Sequence, residues 1–253
     1  MSLVQFTVEG SVGLIRLDRP PVNALSRQLV AEIADAVGEA AHPSLRAVVV
    51  TGGDHFAVGA DIKEFGAVFD SGGEDALAAD LGLVASRLEQ LDKPTIAAVR
   101  GFALGGGLEL ALGADFRYLS EGSRVGQPEI KLGLIPGAGG TQRLTRIVGW
   151  QKAKELVMSG RTVDAAESLA LGVADRVLPD EDVVEVALTD AATWAEGPTQ
   201  ALAAAKRSML AGFGLETGLD TELAEFKELF GTDDAREGVQ AFIDKRDPGF
   251  SGS

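Results

Sequence analysis

The chain has no cysteine, two histidines, one tyrosine and two tryptophans among 253 residues. Without cysteine there is no disulfide framework, no thiolate zinc site, no iron–sulfur cluster and no cysteine nucleophile. His42 and His55 are too few for a multi-histidine metal centre, and no serine stands in a G-x-S-x-G elbow. Basic residues are also scarce. Lys and Arg total 23 against 38 Asp and Glu, a formal charge of -15, and such a field repels nucleic-acid and anionic-lipid partners. Long apolar runs are missing as well: the most apolar stretch, Thr95 to Ala114, carries Arg100, Glu109 and three consecutive glycines, which argues against a membrane span. The opening residues MSLVQFTVEG show neither a cationic segment followed by an apolar run nor the acid-poor make-up of a transit peptide, so a cytoplasmic protein is expected.

What is abundant is apolar residue, 45% of the chain, and glycine, 32 of 253, nearly twice the ~7% of average usage. The first implies a sizeable core and the second many tight turns or close backbone approaches. Leu3 to Val8 and Val12 to Leu17 read as two strands joined at Glu9-Gly10-Ser11. A helix is predicted from Ser26, its N-cap, to Ala41, with Leu29, Val30, Ile33 and Val37 on one face. Ala47 to Thr51 and Thr95 to Val99 are uninterrupted apolar runs ended by glycine, the mark of strands covered on both faces. From about Glu181 the pattern turns helical throughout, over Val183–Trp194, Thr199–Leu210, Glu216–Phe230 and Asp233–Lys245. The fold class is therefore α/β, with a core over 1–195 and a C-terminal helical region over 196–253 that joins it near Glu196-Gly197-Pro198. Glycine pairs two apart at 105/107, 137/139 and 212/214 lack the third glycine of a dinucleotide fingerprint, so a Rossmann fold is not expected.

Four segments carry chemistry. Glu109 lies in Gly105-Gly106-Gly107-Leu108-Glu109-Leu110, at the start of an apolar helix. It is either a catalytic acid or a structural one, turned to the surface or paired with a cation such as Arg143. The triple glycine either packs helix on strand or presents free N–H groups to a developing oxyanion. Glu129 follows Gly126-Gln127-Pro128, where the proline restrains the approach; it is either aimed into a site or solvated beside Lys131. His55, after a buried strand, is expected to cap or face solvent rather than act as a base.

Five blocks in order resemble the enoyl-CoA hydratase/isomerase (crotonase) superfamily: Arg19-Pro20-Pro21-Val22-Asn23-Ala24-Leu25, Phe56 through Ile62, Gly101 through Leu110, Gly126-Gln127-Pro128-Glu129, and Pro136 through Leu144. The resemblance covers nearly the whole chain. It implies a crotonase-like spiral of ββα units followed by C-terminal helices that build a homotrimer, usually paired into a hexamer. It implies an acyl-CoA thioester substrate, with coenzyme A part of that substrate and no separate cofactor or metal. The backbone N–H groups of Ala57 and Gly106 are then expected to form the oxyanion hole. Glu109 is expected to orient and deprotonate water, and Glu129 to deliver a proton to the α carbon. Substrate and CoA contacts fall to Val22, Ala24, Val58, Gly59, Ala60, Asp61, Ile62, Gly105 and Pro128. Arg19, Lys63 and a neighbouring subunit's Lys245 are the candidates for the phosphates. Hydration of a trans-2-enoyl-CoA is the implied reaction; a double-bond isomerase and a non-catalytic acyl-CoA carrier are the alternatives.

Overall fold

A computed structural model describes residues 2–61, 76–212, 232–234, 237, 241 and 244–253. The chain opens with β1 (Val4–Glu9) and β2 (Val12–Leu17), an antiparallel pair, then α1 (Arg27–Ala40). Ser26 caps α1, its hydroxyl accepting the Leu29 N–H, and Leu29, Val30, Ile33 and Val37 are buried. Three strand–strand–helix units follow. β3 (Ala47–Thr51) and β4 (Ala57–Val58) lead to α2 (Ala76–Glu89); β5 (Thr95–Val99) and β6 (Phe102–Leu104) lead to α3 (Gly106–Leu112); β7 (Phe116–Ser120) and β8 (Arg124–Gly126) lead through a 3-10 turn (Glu129–Leu132) to α4 (Gly140–Val148).

Within each unit the first strand joins one sheet and the second joins another. One sheet runs β1-β2-β3-β5-β7 and ends on β10 (Arg176–Leu178); the other runs β4-β6-β8 and ends on β9 (Thr162–Asp164). All neighbours beyond β1–β2 are parallel except β8–β9. This stepwise winding is the ββα spiral that the resemblance implies, and it demands sharp corners between the sheets. At the β5–β6 corner Gly101 has φ 56, and a Cβ there would lie 2.2 Å from His55 Nδ1 and 2.3 Å from Asp54 O, so no side chain fits.

Alternation along β3 explains its fully apolar sequence. Val48 and Val50 join the core beneath α1 and α2, whereas Ala47 and Val49 face the opposite side with Ile96, Ala98 and Tyr118. That second face is covered by α7 (Val183–Ala195), which follows α5 (Trp150–Ser159) and α6 (Ala165–Leu171) in the chain. Val183, Ala187, Ala191 and Ala195 recur every four residues on its buried side, and their small side chains let the helix lie close to β3 and β5. Beyond it, α8 (Thr199–Ala211) is tied to the core by Lys206 Nζ, 2.8 Å from Asp115 Oδ2, and by Arg46 Nε, which donates to Thr199 Oγ1 at 2.8 Å. The helix expected over Glu216–Phe230 lies outside the described residues, and of the one expected over Asp233–Lys245 the described positions 233, 234, 237, 241 and 244 are helical. Among the described residues no helix is long and apolar enough to cross a membrane.

The close seat of α7 predicts the cost of enlarging it. Ala191→Leu inserts three carbons between helix and sheet and is expected to destabilise the fold by about 1–3 kcal/mol. A urea midpoint lowered at unchanged slope is the expected reading; an unmoved midpoint would show that α7 does not pack as described.

Candidate active site

The start of α3 is built by what its glycines omit. Gly105 has φ 54, and a Cβ on it would stand 2.9 Å from Glu129 Oε1; a Cβ on Gly107 would stand 2.1 Å from Ala57 O. The bare backbone therefore presses α3 onto β4 on one side and admits Glu129 on the other. Gly105 N donates to Gly126 O at 2.9 Å, which joins this corner to the end of β8. Glu109, whose own N–H bonds Gly105 O at 3.0 Å, is carried inward and is 3% exposed.

A carboxylate so deeply buried requires donors. Glu109 Oε1 accepts the backbone N–H of Ala138 at 2.7 Å and of Gly140 at 2.8 Å. Ala138 lies in the glycine-rich run before α4 and Gly140 opens that helix, so this corner folds round the acid. Arg143, one expected partner, does not bond it. Its guanidinium bonds Glu89, Ser86 Oγ and Ala138 O and so fastens the loop whose amides hold Glu109. Burial raises the pKa of Glu109 above its ordinary value, opposed by the two amides and the charge of Arg143.

Glu129 opens the 3-10 turn and is half-buried. No ion pair joins it to Lys131 among the described residues. With its amide nitrogen turned toward the acid, the fully buried Gln127 donates to Glu129 Oε1 at 2.9 Å and Oε2 at 3.2 Å. Burial, reinforced by the negative charge of Glu109, pushes the Glu129 pKa up to about 7 against the pull of its own backbone N–H. The environments thus separate two similar acids. Burial raises both; at Glu109 two loop amides and the charge of Arg143 oppose the rise, whereas at Glu129 the charge of Glu109 adds to it.

Both carboxyls open on one cavity of about 400 Å3. Of the residues expected at the site, the structure brings Val58, Gly59, Ala60, Gly105, Gly106, Glu109, Pro128 and Glu129 to its wall. It does not bring Ala57, Val22, Ala24, Asp61 or Lys245 there, and Ile62 and Lys63 lie outside the described residues. Ala57 is fully buried, paired with Ala103 in the β4–β6 ladder, and its carbonyl faces Gly107; it cannot present an N–H to a ligand in the cavity. Ala60, three residues on, can. Leu25 bridges it in parallel fashion, its N–H donating to Gly59 O at 2.8 Å and its carbonyl accepting Asp61 N at 2.9 Å. In such a bridge the N–H of the central residue points away from its partner. Among the described residues neither Ala60 N–H nor Gly106 N–H has an acceptor, and both residues line the cavity. Ala60, rather than Ala57, therefore offers its N–H to the cavity beside that of Gly106.

Val22 and Ala24 serve the wall from behind: Val22 O accepts Val58 N at 3.1 Å and Ala24 O accepts Arg19 Nη1 at 2.6 Å. Arg19, a candidate phosphate ligand, is engaged with Asp61 Oδ2 at 2.6 Å. Lys245 is exposed on the C-terminal segment at φ 55. His55 accepts the Phe102 N–H at Nδ1 and stacks on the Phe102 ring at 4.9 Å, a structural role away from the cavity. Sequence reasoning passed over Leu25, Leu81, Leu134 and Ala138 as wall residues and Gln127 as the neighbour of Glu129. Only Gln127 gave a signal, a polar residue set between Gly126 and Pro128.

The raised pKa of Glu129 has a consequence for stability. A folded-state value above the ordinary 4.5 favours folding at low pH, and that contribution is lost as pH rises from 4.5 through about 7. Above pH 8, where the wild type carries the unfavourable charge in full, Glu129→Gln is expected to be the more stable protein by about 1–3 kcal/mol. Toward pH 5 the difference should close. Thermal melts across this range test it, and parallel curves would contradict it.

The family model described as enoyl-CoA hydratase/isomerase matches residues 7–253. A probable enoyl-CoA hydratase of Bacillus subtilis is 39% identical over 259 residues, all of both chains. The mitochondrial enoyl-CoA hydratase of Pongo abelii is 41% identical over 245 residues, 95% of this chain and 83% of that protein. Among solved structures, an enoyl-CoA hydratase subunit from Geobacillus kaustophilus superposes with a TM-score of 0.91 at 40% identity, covering 99% of this chain and 98% of the other. The enoyl-CoA hydratase of Bacillus anthracis gives 0.91 at 35% identity, covering 99% and 100%. With the spiral of ββα units and the paired acids, these likenesses leave one conclusion: the chain belongs to the enoyl-CoA hydratase/isomerase family.

Proposed function

We propose that this protein is an enoyl-CoA hydratase that adds water syn across the 2,3 double bond of a trans-2-enoyl-CoA to give a 3-hydroxyacyl-CoA. The observation that carries this reading is the pair Glu109 and Glu129 on one cavity wall, both raised by burial, with loop amides and Arg143 opposing the rise at Glu109 and the charge of Glu109 adding to it at Glu129. The names of the relatives support it.

The chemistry follows from that pairing. The thioester carbonyl accepts the N–H groups of Ala60 and Gly106. Water held between the two carboxyls loses a proton to ionised Glu109 as its oxygen bonds C3. The π electrons move through C2 toward the carbonyl oxygen, and the enolate-like charge meets two preorganised donors, each contributing about 3 kcal/mol. Neutral Glu129 then protonates C2, and a proton returning from Glu109 to Glu129 restores the pair. Because both groups act from one wall, oxygen and hydrogen arrive on the same face. The remaining described wall residues, such as Leu81, Leu134 and Ile135, are apolar or glycine, which suits a hydrocarbon acyl group.

The wider reading is a cytoplasmic fatty-acid β-oxidation enzyme acting as a homotrimer or a pair of trimers, with Lys245 from a neighbouring copy reaching the CoA phosphates. Exposed Trp150, Met158 and Leu169 support association.

Purified protein is expected to bleach the enoyl-thioester absorbance of crotonyl-CoA. Glu109→Gln and Glu129→Gln should each lower kcat by about 10²–10⁴-fold with little change in KM. For the wild type, the hydration rate should fall as pH rises through about 7, where Glu129 loses its proton. Unchanged turnover in either variant, or binding of crotonyl-CoA without bleaching by the wild type, would overturn the hydratase reading.

A further inference from the structure

The Ala60 donor sits in a segment with little regular structure of its own, since β4 is two residues long. What holds it is the turn over residues 19–25, which grips the segment on both sides of the donor. Asn23 is buried at φ 52, the left-handed region in which asparagine is enriched. Its Nδ2 donates to His55 O at 2.8 Å and Phe56 O at 3.1 Å, and its Oδ1 accepts Arg19 N at 2.7 Å. Arg19 reaches the other side, donating from Nη2 to Asp61 Oδ2 at 2.6 Å while Nη1 bonds Ala24 O at 2.6 Å. The pair is mostly shielded from water, with side-chain exposures of 28% and 14%. Asn23 thus fixes the chain entering β4, and Arg19 fixes the residue that follows the donor. The main-chain bonds of Val22 and Leu25 fill the interval between them.

Resting on the hydratase site described above, we propose that Arg19 and Asn23 are positioning residues for the oxyanion donor at Ala60, and that Arg19 does not serve as a ligand of the CoA phosphates. An oxyanion donor works only when aimed at the oxygen as charge develops on it, and a displacement of about 1 Å costs roughly 100-fold in rate. Loosening either clamp therefore acts on the transition state more than on ground-state binding. Loss of a phosphate ligand has the opposite signature, a raised KM at unchanged kcat.

The test uses the full chain with Arg19→Met, Arg19→Lys and Asn23→Gly, the last tolerating the left-handed backbone without the side chain. Turnover of crotonyl-CoA is measured beside the absorbance of bound 4-dimethylaminocinnamoyl-CoA, whose band moves to the red when the thioester carbonyl is polarised. Arg19→Met and Asn23→Gly are expected to lower kcat by about 10–100-fold, to leave KM within ~3-fold and to shrink the red shift. Arg19→Lys, able to reach Asp61 with one donor, should recover part of both signals. A tenfold rise in KM for Arg19→Met with kcat and red shift intact would overturn the proposal in favour of a phosphate ligand, and wild-type values in both variants would overturn it outright. If Arg19→Met does not fold, Arg19→Lys and Asn23→Gly carry the same comparison. A wild type that shifts the band without hydrating crotonyl-CoA removes the hydratase reading but leaves the positioning role readable from the variants' bands. A wild type without a band shift overturns the proposal together with its donor.

Discussion

The structure depends on keeping a carboxylate almost out of water. Burial at 3% exposure raises the Glu109 pKa, and the N–H groups that Ala138 and Gly140 turn onto one of its oxygens, with the charge of Arg143, oppose that rise. That requirement shapes the glycine-rich loop before α4, engages Arg143 as a fastener of that loop, and sets the local field for the second acid. Burial and, after it, the negative charge of Glu109 push the Glu129 pKa up to about 7. In the proposed reaction acid and base come from the same residue type, distinguished by their surroundings.

The spiral makes this possible by bringing successive corners to one place. The ends of β4, β6 and β8 lie side by side in the second sheet, and from them come Ala60, Gly105 with Gly106, and Pro128 with Glu129. Side chains are absent where backbones must meet: a single Cβ at Gly105 would strike Glu129, and one at Gly107 would strike Ala57. Catalysis of the proposed kind needs donors and acids held in place before the substrate arrives, and here they sit at the ends of neighbouring strands. The cost is visible at Glu129, where a neutral replacement should make a more stable but less active protein.

Much of this was legible in the residues. The helix capped by Ser26 and the buried strands Ala47–Thr51 and Thr95–Val99 follow from periodicity and punctuation, which act locally. Glu109 declared itself as a charge among apolar residues. Long-range pairing was not legible. Whether Ala57 or Ala60 turns its N–H to the cavity depends on a bridge to Leu25, 35 residues earlier than Ala60, and no local pattern records it. Arg19 reads as a free cation until the fold brings Asp61 within 2.6 Å, and Arg143 reads as a partner of Glu109 until the loop amides are seen to take that place.

The proposed mechanism depends on the division of charge between the two acids, and a carboxyl carbon-13 NMR titration of the wild type and of Glu109→Gln tests it most directly. Glu129 is expected to titrate near 7 in the wild type and at lower pH once Glu109 is neutral, because one source of its elevation is then gone. A Glu129 carboxyl that titrates near 4.5 in the wild type, or one that does not respond to Glu109→Gln, would contradict it.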